Sequence, residues 1–125
     1  MIKVNYWPRE LRLTMEGHAV TDENEQTEDG IVVCSGASML MFALMNALDG
    51  FKLAAWVKNV HYYENGNGFA YAKVDKPKWH KFKAVRVAFG MAFGGLAMLA
   101  KHYPKLVSCE VCTGKPYDDK PFEKM

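Results

Sequence analysis

Cys34 is the residue whose type and surroundings best suit nucleophilic chemistry. It follows the short apolar run Ile31-Val32-Val33, which would fix its position rigidly, and it precedes Ser35-Gly36, which predicts the start of a helix. The free amides and the positive dipole at a helix N-terminus stabilise a thiolate, which is the nucleophilic form of cysteine. The alternative is a small buried hydrophobic residue, the usual role of a free cysteine.

His18 is the natural acid–base partner for such a thiol. It follows Gly17 at the end of a predicted strand, where a loop begins, and lies 16 positions before Cys34. A Cys-His pair is the minimal set for thiol-based acyl transfer, because the imidazole takes the thiol proton and later protonates the leaving amine. The alternative is a solvent-facing or capping histidine, and the other three histidines have no nucleophile nearby in the sequence.

Cys109 and Cys112 form a single Cys-x-x-Cys motif. A zinc site needs four ligands, and the sequence has no second cysteine pair. A redox role would require a reversible disulfide, but the odd spacing puts the two thiols on opposite faces of a strand. We therefore expect no metal site and no cofactor.

The stretch from Lys73 to Arg86 is basic and contains Trp79 and Phe82. Basic residues interleaved with aromatic ones are compatible with RNA or an acidic partner. Charge runs are more often solvated surfaces, so the sequence favours a solvated helix start and nucleic-acid binding is not expected.

Length and composition describe a single domain. The chain has 125 residues, 50% of them hydrophobic, and 16 basic against 14 acidic residues. These values exclude a disordered chain, a collagen-like repeat and a disulfide-stapled miniprotein. An odd cysteine count without a signal-peptide pattern predicts a reducing, cytoplasmic compartment. The longest uncharged apolar run, Val87 to Ala100, is too short for a bilayer, so we expect a buried core helix and no membrane association.

The periodicity of the apolar residues predicts an α+β fold. The elements follow in the order β-β-α-β-β-α-β, with two helices packed on a mostly antiparallel sheet. Residues 1–112 form the domain and residues 113–125 a C-terminal tail. The acidic stretch from Ala19 to Gly30 lacks hydrophobic periodicity and predicts a mobile loop.

The predicted elements have the following bounds. The strands are expected at residues 2–6, 11–15, 56–63, 69–74 and 106–111, with Asn65-Gly66-Asn67-Gly68 as a hairpin turn. The helices are expected from Ala37 to Leu48 and from about Trp79 to His102. Gly90, Gly94 and Gly95 in the second helix suit either close packing on the first helix or a contact between two copies of the chain.

The sequence Gly17-His18-Ala19, a loop, Ile31-Val32-Val33-Cys34 and then Ser38 resembles the ribosomal-processing cysteine protease family, Prp. Members carry Gly-His-Ala and, downstream, Asp-Ile-Val-Cys followed by small residues and a Ser. The likeness continues through Gly95-Leu96 and Tyr103-Pro104 and covers about residues 1 to 112.

The resemblance implies a homodimeric cysteine endopeptidase that removes a short N-terminal segment from a large-subunit ribosomal protein. Cys34 would be the nucleophile and His18 the general base, with Ser38 one helical turn beyond the cysteine. The backbone amides of Ser35, Gly36 and Ala37 would donate to the oxyanion. The acidic loop would close over the peptide.

One position departs from the family pattern. Ile31 stands where members have Asp, and Asp29 could replace that carboxylate only if the loop bulges. This departure affects the identity of the substrate more than the type of reaction. The alternatives are a processing protease for a phage head or scaffold protein, and a non-catalytic module that docks on a ribosome or RNA.

Overall fold

A computed structural model describes residues 1–19, 28–66 and 68–113. Within these ranges the order β-β-α-β-β-α-β is confirmed. The elements are β1 (Ile2–Trp7), β2 (Arg12–Glu16), α1 (Glu28–Leu53), β3 (Val57–Glu64), β4 (Phe69–Pro77), α2 (Phe82–His102) and β5 (Val107–Val111), and a single 3-10 turn (Trp79–Lys81) leads into α2. Most of the expected acidic loop (residues 20–27), Asn67 and the tail from residue 114 lie outside the described residues.

The five strands form one sheet in the order β3-β4-β2-β1-β5. All neighbours are antiparallel except β1 and β5, which run parallel. Alternate side chains of the strands point to the helices, as in β1, where Ile2, Val4 and Tyr6 belong to the core. The prediction of a mostly antiparallel sheet carrying two helices is therefore confirmed.

The N-terminal boundary of α1 differs from the prediction. The sequence predicted that the helix opens at Ser35-Gly36, but α1 already begins at Glu28, so Ser35 does not cap it and Ile31-Val32-Val33 lies within the helix. The buried residues of the helix recur every three or four positions from Gly30 and Val33 onward, which is a helical period. Packing of this face on the sheet outweighs the small preference of β-branched residues for strands. Glu28 and Asp29 suit the positive end of the helix dipole.

Both helices are long and apolar enough to cross a membrane by length and hydropathy. In this fold each instead buries one face against the sheet. Val85, Phe89, Ala92 and Leu96 form the buried row of α2 and belong to the common core. The helix expected between Val87 and Ala100 is therefore found, but only one of its faces belongs to the core, since Val87, Met91 and Met98 are exposed.

The glycines of α2 play different parts. A Cβ on Gly95 would stand 2.6 Å from Leu40 Cδ2, so Gly95 permits the close approach of α1. Gly90 and Gly94 have no such neighbour within 4 Å. The close-packing interpretation is thus correct for Gly95, while Gly90 and Gly94 lie on the outer side of the helix.

Candidate active site

A cleft of about 240 Å³ lies between α1, the end of β2 and the turn between β3 and β4. It brings together three residues that the sequence singled out, His18, Cys34 and Ser38. Its other described lining residues are Ile2, Met15, Gly17, Met41, Phe42, Glu64, Gly66, Gly68, Phe69 and Ala70. A thiol, an imidazole and a hydroxyl therefore face one peptide-sized space.

Helix α1 supplies the thiol side of the cleft. Cys34 is half-buried, and Ser38 and Met41 follow it by one and two turns on the same face. Cys34 and Ser38 thus share one face of the helix, one turn apart, and both line the cleft. Ser35 is exposed, and Gly36 faces Leu99 of α2 rather than the cleft.

The early start of α1 corrects two expectations about Cys34. The amides of Ser35, Gly36 and Ala37 lie inside the helix, so each donates to the carbonyl four residues before it and none is free for an oxyanion. Cys34 is the seventh residue of α1, whereas the effect of the helix dipole falls off within the first turn. Neither these amides nor the helix dipole can therefore activate the Cys34 thiol as expected.

Gly17 directs the chain that carries His18. Its N–H donates to the Gly68 carbonyl over 2.6 Å, which extends the pairing of β2 with β4 by one step. Its φ of +103° turns the chain out of the sheet. A Cβ at this position would collide with the backbone oxygen of Met1. Glycine is therefore required at position 17, and His18 directly after it is exposed and lines the cleft.

Gly68 is a site residue that sequence reasoning did not identify. Its own Cβ, if it had one, would stand 2.7 Å from His18 Nε2 and 2.8 Å from the Gly17 carbonyl oxygen. The imidazole therefore packs directly on the Gly68 backbone. The Asn-Gly-Asn-Gly pattern signalled a hairpin turn, but nothing in it indicated that the turn holds a histidine from another strand.

Gly68→Ala is expected to lower kcat/KM by about 10²-fold, because a displacement of a catalytic group by roughly 1 Å has an effect of that size. Gly66→Ala is the matched control. Gly66 also has a positive φ, +74° against +87°, but a Cβ there meets nothing within 4 Å. Both substitutions carry similar backbone strain, and only one pushes on His18. Steady-state kinetics with a fluorogenic peptide would measure the difference, and equal losses in the two variants would contradict this role of Gly68.

The acidic residues of the site are arranged differently from the prediction. Asp29 is exposed in the first turn of α1 and does not line the cleft, because five residues of helix turn it away from the Cys34 face. Ile31, at the family's Asp position, is 52% exposed. Glu64 lines the cleft instead, and its carboxylate accepts the Gly66 N–H over 2.6 Å. Glu64 lies far from His18 and Cys34 in the sequence, and no sequence pattern identified it as a site residue.

Cys109 and Cys112 lie away from the cleft and on opposite faces of the sheet, as their spacing predicts. Cys109 packs against the core, and Cys112 Sγ lies 3.9 Å from Asn5 Oδ1. Burial raises the pKa of both thiols, and nearby Glu110 raises that of Cys112 further. A raised pKa disfavours the thiolate that disulfide exchange requires. Among the described residues, no group of three or more His, Cys, Asp and Glu side chains is placed to hold a metal ion.

The sequence model of one family, described as cysteine protease Prp, matches residues 1–108. A comparison with curated proteins finds no significant match. The family match thus covers β1 through the start of β5 and includes every described residue that lines the cleft.

Solved structures share the fold at low sequence identity. An essential ribosomal processing protease Prp from S. aureus, in complex with a covalently linked product peptide, has 18% identity and a TM-score of 0.63, covering 90% of this chain and all of its own. The same protease with a substrate peptide has 15% identity, a TM-score of 0.64 and the same coverage. A protein from Streptococcus mutans has 20% identity and a TM-score of 0.62, with 90% and 93% of the two chains covered.

Proposed function

The chain belongs to the cysteine protease Prp family, and from that premise we propose that it is a cysteine endopeptidase that trims a short N-terminal segment from a protein substrate. One observation carries the proposal: His18, which follows β2, lines the same cleft as Cys34 and Ser38 of α1. The S. aureus relative forms a complex with a covalently linked product peptide, which supports a covalent mechanism here.

In the proposed reaction the Cys34 thiol loses its proton to His18 and the sulfur attacks the peptide carbonyl carbon. The tetrahedral intermediate collapses as the imidazolium of His18 protonates the leaving amine, which leaves a thioester on Cys34. Water, deprotonated by His18, then attacks the thioester and releases the acid product. Since the amides of residues 35–37 are committed within α1, the Ser38 hydroxyl is the donor that the Cys34 face of the helix offers to the oxyanion.

The walls of the cleft suit a particular kind of peptide. Met15, Phe42 and Phe69 give the cleft an apolar lining beside Cys34, so we propose an apolar side chain next to the cut. Glu64 adds a carboxylate to the lining. A negative charge here favours substrates with basic residues near the cut, which ribosomal proteins contain in abundance.

The proposed substrate is a large-subunit ribosomal protein with an N-terminal extension, processed in the cytoplasm. The experiment that tests it incubates the purified protein with the extended ribosomal protein and, in parallel, with a phage head or scaffold protein. Mass spectrometry of the products would locate the cut. Cleavage of the phage protein alone would make a phage structural protein the substrate. Cleavage of neither protein, together with no labelling of Cys34 by a peptide-based thiol reagent, would contradict the proposed protease activity.

We propose further that the protein is a homodimer that pairs through the outer face of its helices. Apolar side chains are exposed there, including Met39 of α1 and Val87, Met91 and Met98 of α2. Between the helices runs an apolar groove of about 270 Å³. Such a contiguous apolar surface favours association, and a second copy of the same face is its simplest complement.

Met91→Asp is expected to weaken dimerisation by about 30-fold or more, because a carboxylate buried without a partner costs roughly 2 kcal/mol or more. Met91 is 72% exposed and lines the groove. Val111→Asp is the control, since Val111 is 53% exposed on β5, away from the helices. Sedimentation velocity over a range of concentrations measures both. If the Val111→Asp variant were monomeric and the Met91→Asp variant dimeric, the dimer interface would instead lie at the β5 edge of the sheet.

A further inference from the structure

One end of the molecule combines exposed aromatic and basic side chains that the proposed protease site does not use. We call it the basic end: it consists of residues 52–58, from the end of α1 into β3, and residues 76–83, from the end of β4 into α2. The two segments are joined by the pairing of Val57 with Pro77 and by the Lys78 N–H, which donates to the Trp56 carbonyl over 2.8 Å. They therefore form one surface of fixed geometry.

Trp79 is the distinctive residue of the basic end. Its side chain is 89% exposed on the 3-10 turn, although an indole of this size usually buries most of its surface. Its ring meets His80 edge-on, with centroids 5.4 Å apart. Trp56, by contrast, is covered by Phe51 and by the Lys81 ammonium. The indole of Trp79 is thus exposed to solvent on the 3-10 turn and does not take part in core packing.

The charges around this indole are predominantly positive. Five exposed lysines belong to the two segments, namely Lys52, Lys58, Lys76, Lys78 and Lys83. The nearest acids along the chain are two carboxylates, which the five lysines outnumber. Asp49 accepts a hydrogen bond from the Tyr62 hydroxyl over 2.9 Å, and Asp75 pairs with His61 Nε2 over 2.7 Å. The surface therefore attracts anions.

We propose that the basic end binds single-stranded RNA, with a base stacked on Trp79 and phosphates held by the surrounding lysines. Exposed aromatic rings set among basic residues are the general means by which proteins hold single strands without reading their sequence. The sequence alone favoured a solvated charge run. The structure adds the exposed ring and the second basic segment, which the sequence could not bring together.

The basic end lies far from the cleft, so RNA binding leaves the proposed protease site open. Cys34 and Leu53 are 19 residues apart on α1, which places them about 28 Å apart along the helix. The hairpin turn at Glu64 to Phe69, which lines the cleft, lies at the opposite end of β3 and β4 from Val57 and Pro77. The proposal goes beyond the protease activity, and Cys34→Ala should bind RNA like the parent protein.

The test measures fluorescence anisotropy of a labelled single-stranded RNA of about 12 nucleotides with the full chain. Trp79→Ala should weaken binding by about tenfold, the effect of losing one stacked base. Lys78→Glu should weaken it and lower the slope of log K against log salt by about 0.7, the value for one phosphate contact on a single strand. Leu53→Ala is the control, because Leu53 is 90% exposed at the same end but cannot stack on a base.

Three outcomes would overturn the proposal. The first is the absence of salt-dependent binding to the RNA probe. The second is an equal loss in Trp79→Ala and Leu53→Ala, which would indicate a general apolar contact. The third is a preference for phosphatidylserine vesicles or polyglutamate over RNA under the same salt. Circular dichroism of each variant checks that the fold is retained, and the exposure of all three side chains makes that the expected result.

Discussion

Cys34→Ala is expected to lower kcat/KM for the cleaved peptide by about 10⁴-fold or more, since removal of a catalytic nucleophile has effects of at least this size. The reason is specific to this site. Cys34 is the cysteine that lines the cleft, and no other described thiol is near it. The loss of one half-buried sulfur leaves only a small space in the wall, so the variant should fold and still bind peptide. A fall in kcat without a comparable rise in KM is the signature to measure.

Cys109→Ala is the matched control for this experiment. Its thiol is also half-buried and also packs against the core, but Cys109 belongs to β5, away from the cleft. It should keep parental kcat/KM while losing a similar amount of stability. Thermal unfolding of both variants provides the comparison. If Cys34→Ala cleaved the peptide at the parental rate, the nucleophile would have to be sought elsewhere and the proposed mechanism would be wrong.

His18→Ala is expected to lower kcat by about 10²- to 10⁴-fold, the range for removal of a general acid–base group. The position of Cys34 within α1 supports this prediction. Cys34 lies beyond the first turn of α1, where the helix dipole no longer stabilises a thiolate, so its activation depends on the imidazole across the cleft. His18→Ala should therefore also slow alkylation of Cys34 by iodoacetamide near neutral pH, measured peptide by peptide.

His102→Ala is the control for this substitution. His102 is likewise exposed, at the C-terminus of α2, and it does not line the cleft. It should alter neither cleavage nor the alkylation rate of Cys34. Parental rates of both reactions in His18→Ala would contradict the Cys-His dyad, whereas slow cleavage with unchanged alkylation would restrict His18 to protonation of the leaving amine.

Local pattern was sufficient for much of this fold. Alternation in β1 and β2, the glycine-rich turn between β3 and β4, and the apolar period of α2 each concern neighbours within a few residues, and the structure confirms all three. The start of α1 was predicted wrongly for a physical reason. Ile31, Val32 and Val33 have strand propensity, but Val33 alone is buried, and it shares a helical face with Ala37 and Met41. Tertiary packing selected the helix.

The sequence by itself determined which groups are available for chemistry: a thiol, an imidazole after a glycine, and a hydroxyl one helical turn beyond the thiol. Only the tertiary structure decided which of them meet. Gly68 approaches His18 across paired strands, Glu64 reaches the cleft from a distant hairpin, and Asp29 turns away from it. These relations depend on strand pairing between residues about 50 positions apart, as in Glu16 with Phe69, and no local period along the chain encodes such a pairing.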